Sequence, residues 1–271
     1  MNRVVITGAG VISSLGMDLT TNFNSLSEGK NGIGPIDFLN AERLSVRIGG
    51  QIHNFNPCNH FSKQENSIYD KFTQFALIAT KQAVSSSGIE LKEKDSSKIG
   101  VILGTAGGGL QTQDENYRQV YEEGKNRVHP LIVPKLMNNA AASNVSIKFN
   151  AQGPCFTIAS ACSSSNHAMG QALNLIRSGA IEVAITGGSE RDRKSTRIKA
   201  WEGLRIMSKD ACRPFCQTRD GMVQGEGAAI YIFENYQYAK KRGANILAEV
   251  AGFSMTSDAK DIVNPSKKGA A

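Results

Sequence analysis

Cys162 has the setting that most suggests covalent chemistry. It lies in Gly153-Pro154-Cys155-Phe156-Thr157-Ile158-Ala159-Ser160-Ala161-Cys162-Ser163-Ser164-Ser165-Asn166-His167-Ala168-Met169-Gly170. There a buried apolar strand runs into small residues, and a helix is expected to begin at or just after the cysteine, with Ala168, Ala172, Leu175 and Ile176 as its inward stripe. At such an elbow the helix dipole and unpaired backbone N–H groups favour thiolate over thiol, and small neighbours leave the sulfur open to a substrate. This arrangement suits a nucleophile for acyl transfer. The competing reading is a small apolar core residue, the commonest fate of a free cysteine. His167 follows five residues later, roughly 140° around a helix turning about 100° per residue, and reads as scaffold rather than as a base for Cys162. Cys155 falls inside the strand and is expected in the core.

The other chemistry-bearing residues point less far. Cys58, Cys155, Cys162, Cys212 and Cys216 are an odd number at irregular spacing. The stretch Met1 to Gly8 is too short for an export signal, so reduced thiols and a cytoplasmic setting are expected. Cys212 and Cys216 lack a second ligand pair at zinc spacing, and no metal is expected. Gly8-x-Gly10 follows a strand but has Ser13 where a dinucleotide fingerprint has its third glycine. Those glycines read instead as letting a buried strand turn close to its neighbour. Gly107-Gly108-Gly109 lacks the Gly-Lys-Ser/Thr ending of a phosphate loop, and no cofactor is expected.

These residues must be positioned by a chain of 271 residues, 40% hydrophobic and 20% charged, which is ordinary globular composition. No apolar run reaches the roughly 18 residues of a membrane span. The net charge of +7 favours an acidic partner, while a single tryptophan and scattered lysines do not make a nucleic-acid surface. Strands are expected at Arg3 to Gly8, Val46 to Ile52, Ile99 to Gly104, Phe156 to Ser160, Val183 to Gly187, Ala228 to Glu234 and Ile246 to Met255. The clearest helix runs from Tyr69 to Ser87 and stops at Gly88; others follow Asp18, Leu110, Ser163 and Asn235. No linker divides the chain, and the alternation describes one α/β unit.

Thr157 to Gly170, centred on Ala161-Cys162-Ser163-Ser164-Ser165, resembles the nucleophile motif of the β-ketoacyl-acyl-carrier-protein synthases, type II. The resemblance extends through Val4 to Gly16, Asp70-x-Phe72, Val133-Pro134, Gly187-Gly188, Arg213-Pro214-Phe215, Arg219-Asp220-Gly221, Gly225-Glu226-Gly227-Ala228 and Ser257-Asp258-Ala259. Lys199-Ala200-Trp201-Glu202 and Ala248-Glu249-Val250-Ala251-Gly252 are similar to the nodulation protein E branch. The resemblance implies a thiolase-like fold whose two α/β halves pack as helix-sheet-helix-sheet-helix layers, usually as a homodimer. It also implies a Claisen condensation: Cys162 takes an acyl group from an acyl carrier protein thioester, and malonyl-carrier protein loses carbon dioxide to give the attacking enolate. Cys162 would be the nucleophile, and its own N–H half of the oxyanion hole. The acidic carrier would suit the positive charge.

The family places two histidines, a lysine and a Gly-rich loop in its second half. This sequence has no histidine beyond His167. It is expected to represent the N-terminal half, with residues 1–253 forming the synthase domain and 254–271 opening the connection to an absent second half, and is not expected to condense by itself. Alternatives are a non-catalytic remnant or dimer partner of a complete synthase, and a thiolase-fold enzyme using coenzyme A thioesters. Arg191 to Arg197 is strongly basic where the family is small and apolar, so that stretch is expected to be exposed or locally disruptive. The loop around Asp258 to Val263 departs from the family and is expected to border the site. Of the basic carrier-docking residues before Asp70, Lys63 remains.

Overall fold

A computed structural model describes residues 1–37, 41–91, 93–191 and 195–266. The strands are β1 (Val4–Ser13), β2 (Gly34–Pro35), β3 (Ile48–Gly49), β4 (Ile99–Gly104), β5 (Cys155–Ile158), β6 (Val183–Arg191), β7 (Glu226–Asn235) and β8 (Ala248–Glu249). The helices are α1 (Leu19–Ser27), α2 (Lys63–Ile68), α3 (Lys71–Ser87), α4 (Leu110–Tyr117), α5 (Ile132–Leu136), α6 (Ala140–Phe149), α7 (Ser164–Arg177), α8 (Ser195–Gly203) and α9 (Tyr236–Lys241).

One six-stranded sheet has the order β5-β4-β6-β7-β1-β8. Strands β5, β4 and β6 are parallel, and β7, β1 and β8 join antiparallel. Strand alternation sends successive side chains to opposite faces, and β4 shows the result. Val101 and Leu103 pack into the core under α3 and α6, while Ile102 packs under α7. The described chain is therefore a helix-sheet-helix sandwich.

Local chemistry fixes the helix ends. Asp70 accepts the Phe72 N–H at the start of α3 and Gly88 closes it with φ +62°. Buried Asp70 also accepts the Thr112 N–H at 3.0 Å and hydroxyl at 2.5 Å, joining α3 to the first turn of α4. The two N–H bonds satisfy backbone donors that helix starts leave open.

Several expectations need correction. β1 runs through Gly8 and Gly10 to Ser13 without turning, its register shifting between Ile6 and Gly8; a Cβ at either glycine would come closer than 3.0 Å to the α3 backbone, so these glycines let β1 and α3 pack closely. Of Val46 to Ile52 only Ile48–Gly49 forms a strand, with Gly50 bridging to Gly225, and of Ile246 to Met255 only Ala248–Glu249 does. Helix α6 escapes the spacing argument because its buried side are small residues, Ala140 to Ala142. Cys155 is exposed, not core, because β5 is the sheet edge.

Candidate active site

The parallel strands β5, β4 and β6 end side by side, and the segments leaving their carboxyl ends converge on a cleft of about 580 Å³. Open α/β sheets hold ligands at such ends, where the connecting loops leave a crevice. Cys162 arrives from β5, Thr105 and Ala106 from β4, and Gly188 to Glu190 from the end of β6. Trp201 of α8, Met169 of α7 and Tyr231 of β7 add apolar wall.

Helix α7 begins at Ser164 with Ser163 as its N-cap, so Cys162 directly precedes the cap of a 14-residue helix. The spacing predicts this start, although the inward stripe is completed by Leu173, with Leu175 only partly buried. The elbow is tied by Ser164, whose hydroxyl donates to the Ala161 carbonyl at 2.6 Å and accepts the Ser160 N–H at 2.8 Å. Ala161 has φ +46°, a left-handed backbone that costs a residue with a Cβ about 1–2 kcal/mol. Ala161→Gly is therefore expected to raise stability by about 1 kcal/mol or less, the gain being reduced by glycine's larger entropy when unfolded. Thermal melting reads this, and alkylation of Cys162 should be unchanged.

Two glycines let α7 seat this deeply. A Cβ on Gly104 would lie closer than 3.0 Å to the Ser164 carbonyl and the Ser165 amide, and one on Gly188 equally close to the Ser165 hydroxyl and the Gly104 carbonyl oxygen. With those positions bare, the helix N-terminus stands against the strand ends. Cys162 is exposed, which removes the core reading. An accessible thiol beside a helix N-terminus can act as a nucleophile toward a carbonyl carbon.

The remaining sequence candidates separate from the cleft. His167 meets Phe253 edge-on at 5.9 Å between ring centroids and does not line the cleft. The Cys155 thiol, despite its edge position, is crowded enough that burial pushes it up, with a Ser146 hydrogen bond opposing. The loop from Asp258 to Val263 is exposed and also stays away from the cleft lining. Its turn is held locally, Asp261 accepting the Val263 and Asn264 N–H groups. Lys63 opens α2 on the surface.

At Arg191 the basic stretch is not exposed, and Nε and Nη1 of its guanidinium are buried without a hydrogen-bond partner among the described residues. Its side chain is 11% accessible and pairs with Glu226 at 3.1 Å. Glu226 also accepts the Ile52 N–H. Lys71 lies in the same electrostatic neighbourhood, where burial first and Arg191 second push its ammonium down. Residues 192–194 of the basic stretch lie outside the described residues. Among the described residues no group of three or more His, Cys, Asp or Glu is placed to hold a metal, and no helix is long and apolar enough to cross a membrane.

Gly104 and Trp201 enter from the sequence only through the family resemblance, and Glu190 was missed; its signal is topological, since it lies near the carboxyl end of β6, which meets the same rim as β4 and β5.

Comparison with known proteins shows the family and the fold. The family described as Beta-ketoacyl synthase, N-terminal domain, matches residues 1–239. The 3-oxoacyl-[acyl-carrier-protein] synthase 2 of Staphylococcus aureus (strain COL) is 37% identical over 272 residues, covering 98% of this chain and 66% of the relative. Nodulation protein E of Rhizobium sp. (strain N33) is 36% identical over 267 residues, with the same coverage of 98% and 66%. This chain thus spans about two thirds of those relatives' length. A Beta-ketoacyl synthase from Burkholderia phymatum STM815 superposes with TM-score 0.88 at 27% identity, covering 98% of this chain and 67% of that one. The ketosynthase AntDE in complex with the type II polyketide acyl-carrier protein AntF superposes with TM-score 0.82 at 28% identity, over 96% and 64%. The fold is thiolase-like.

Proposed function

Since this chain belongs to the β-ketoacyl synthase family through its N-terminal domain, we propose that it accepts an acyl group from a carrier-protein thioester onto Cys162. This is the first half of a decarboxylative Claisen condensation yielding a 3-oxoacyl-carrier protein. The observation that carries the reading is the exposed Cys162 thiol at the strand-to-helix elbow, inside a cleft with apolar walls.

In this step the Cys162 thiolate adds to the thioester carbonyl, whose oxygen takes up negative charge. The Cys162 N–H supplies one oxyanion donor in the family's scheme, and such donors stabilise the tetrahedral intermediate. The intermediate collapses by expelling the carrier's thiolate, leaving an acyl-enzyme thioester. Trp201, Met169 and Tyr231 give an aliphatic acyl chain an apolar wall. The later decarboxylation, which the family assigns to two histidines, lies outside this proposal: among the described residues no histidine lines the cleft.

We assign residues 1–253 to the synthase domain. Phe253 packs against Gly170 and His167 of α7, whereas no strand or helix follows β8 among the described residues. The proposed partner is an acidic acyl carrier protein, which the net charge of +7 favours. Homodimerisation is proposed through the open edge at β5, where Phe156 is exposed.

The test is the intact mass of the chain after incubation with acyl-carrier protein, with acyl-coenzyme A as a parallel donor. A hydroxylamine-labile adduct on the parent that is lost in Cys162→Ala is expected. No adduct on the parent, or one that persists in the variant, overturns the reading and leaves the non-catalytic partner. Transfer from coenzyme A alone would overturn the choice of carrier.

A further inference from the structure

Glu190 ends the sheet's shared rim in an unusual way. Its Oε2 accepts the Ala106 N–H at 2.6 Å, the Thr105 hydroxyl at 3.1 Å and the Gly107 N–H at 3.3 Å. Its Oε1 is buried and has no hydrogen-bond partner among the described residues. All the recorded hydrogen bonding of this carboxylate is thus spent on one loop, the one that leaves the neighbouring strand β4.

That loop needs an outside hold. It continues into Gly107-Gly108-Gly109, and Gly108 has φ +60°; a run of glycines does little to restrict its own backbone. Other ties are sparse: Gly108 donates to the Thr105 hydroxyl at 3.1 Å, Thr105 to the Ile158 carbonyl at 3.2 Å and Gly109 to the Leu136 carbonyl at 3.0 Å. None of them restrains the N–H groups of Ala106 and Gly107, which Glu190 takes. Thr105 and Ala106 line the same cleft as Cys162.

We infer that Glu190 is a positioning residue: by bracing the Thr105 to Gly107 loop it fixes one wall of the cleft and thereby the size of group that can reach Cys162. The acyl-group part of this inference rests on the carrier-thioester reading above. The brace acts on the wall rather than on the sulfur. Its loss should change which groups fit more than it changes how readily the thiol reacts with a small reagent.

The experiment compares the parent with Glu190→Ala, Glu190→Asp and Glu190→Gln. Acylation of Cys162 is followed by intact mass with butyryl-, octanoyl-, dodecanoyl- and palmitoyl-carrier protein. In parallel, peptide mass gives the Cys162 alkylation rates with small iodoacetamide and bulky N-benzylmaleimide. In Glu190→Ala the expected result is a change of about tenfold in the ratio of bulky to small, in both series, with the iodoacetamide rate within about twofold of the parent. Glu190→Asp, whose shorter side chain should not reach all three donors, should move the same way and replaces Glu190→Ala should that variant not fold. Glu190→Gln keeps an amide oxygen for the loop and should retain the parent's ratios. Unchanged ratios in both shortened variants overturn the inference, as does an equal slowing of every reagent. If the parent takes no acyl group from any donor, the carrier-thioester reading fails, while the alkylation ratios still decide the role of Glu190.

Discussion

Gly104→Ala is expected to slow acylation of Cys162 by about a hundredfold, because a displacement near 1 Å at a reacting atom has an effect of that order. The new Cβ would lie closer than 3.0 Å to the Ser164 carbonyl and the Ser165 amide. These are main-chain atoms at the start of α7, with no side-chain rotamer to relieve the overlap. Either the helix N-terminus moves off the sheet, taking the elbow with it, or β4 is pushed from its register with β5 and β6. Overpacking of this kind costs about 1–3 kcal/mol, so the melting temperature should fall as well. Gly203→Ala is the control, since a Cβ there meets nothing within 4 Å. An acylation rate in Gly104→Ala within twofold of the parent would show that the cleft tolerates movement of its helix.

Arg242→Ala is expected to be the most destabilising single change outside the cleft, by about 3–5 kcal/mol, the usual result of stranding a buried charge by removing its partner. Glu234 is fully buried at 0% accessibility. It receives Arg242 Nε at 2.8 Å and Nη2 at 2.6 Å, together with the Thr7 hydroxyl. Arg242 also donates to the Ser87 carbonyl at 2.9 Å, which ties the end of α3 to the segment after α9. Deleting the guanidinium leaves a carboxylate under the sheet with only a hydroxyl for company. A drop of about 10 °C in melting temperature should follow for a chain of this size. Glu234→Gln combined with Arg242→Ala should recover part of the loss, because the charge has then gone with its partner. A double variant no better than Arg242→Ala would point to the Ser87 contact instead.

Much of this architecture was legible in advance because it rests on local signals. Strand β4, α3 and the start of α7 follow from apolar runs, from Gly88 as a stop, and from the small-residue elbow. Ends were harder to read wherever glycine was taken for a turn: Gly8 and Gly10 are unturned because α3 lies against them, a tertiary fact that no window of sequence contains. Cys155 was misplaced for a similar reason, since an apolar strand does not disclose whether it will be an edge. At the site, Cys162 stood out through its neighbours. The brace at Glu190 did not, because its partners are 83 to 85 positions away. The burial of Arg191 depends on Glu226, likewise remote in sequence.

The place of β1 in the sheet sets a timetable for the chain's own synthesis. Strand β1 is flanked by β7 and β8, the last two strands in sequence among the described residues. One of its hydrogen-bonding edges therefore waits until β7 is made, up to Asn235, and the other until Glu249 of β8, a delay of roughly 10 to 45 s at ribosomal rates of about 5–20 residues per second. Helix α3 is available much sooner and can shelter one face of the strand, but it offers nothing to the backbone edges. A nascent chain halted before β7 would carry β1 as an apolar strand with both backbone edges unpaired.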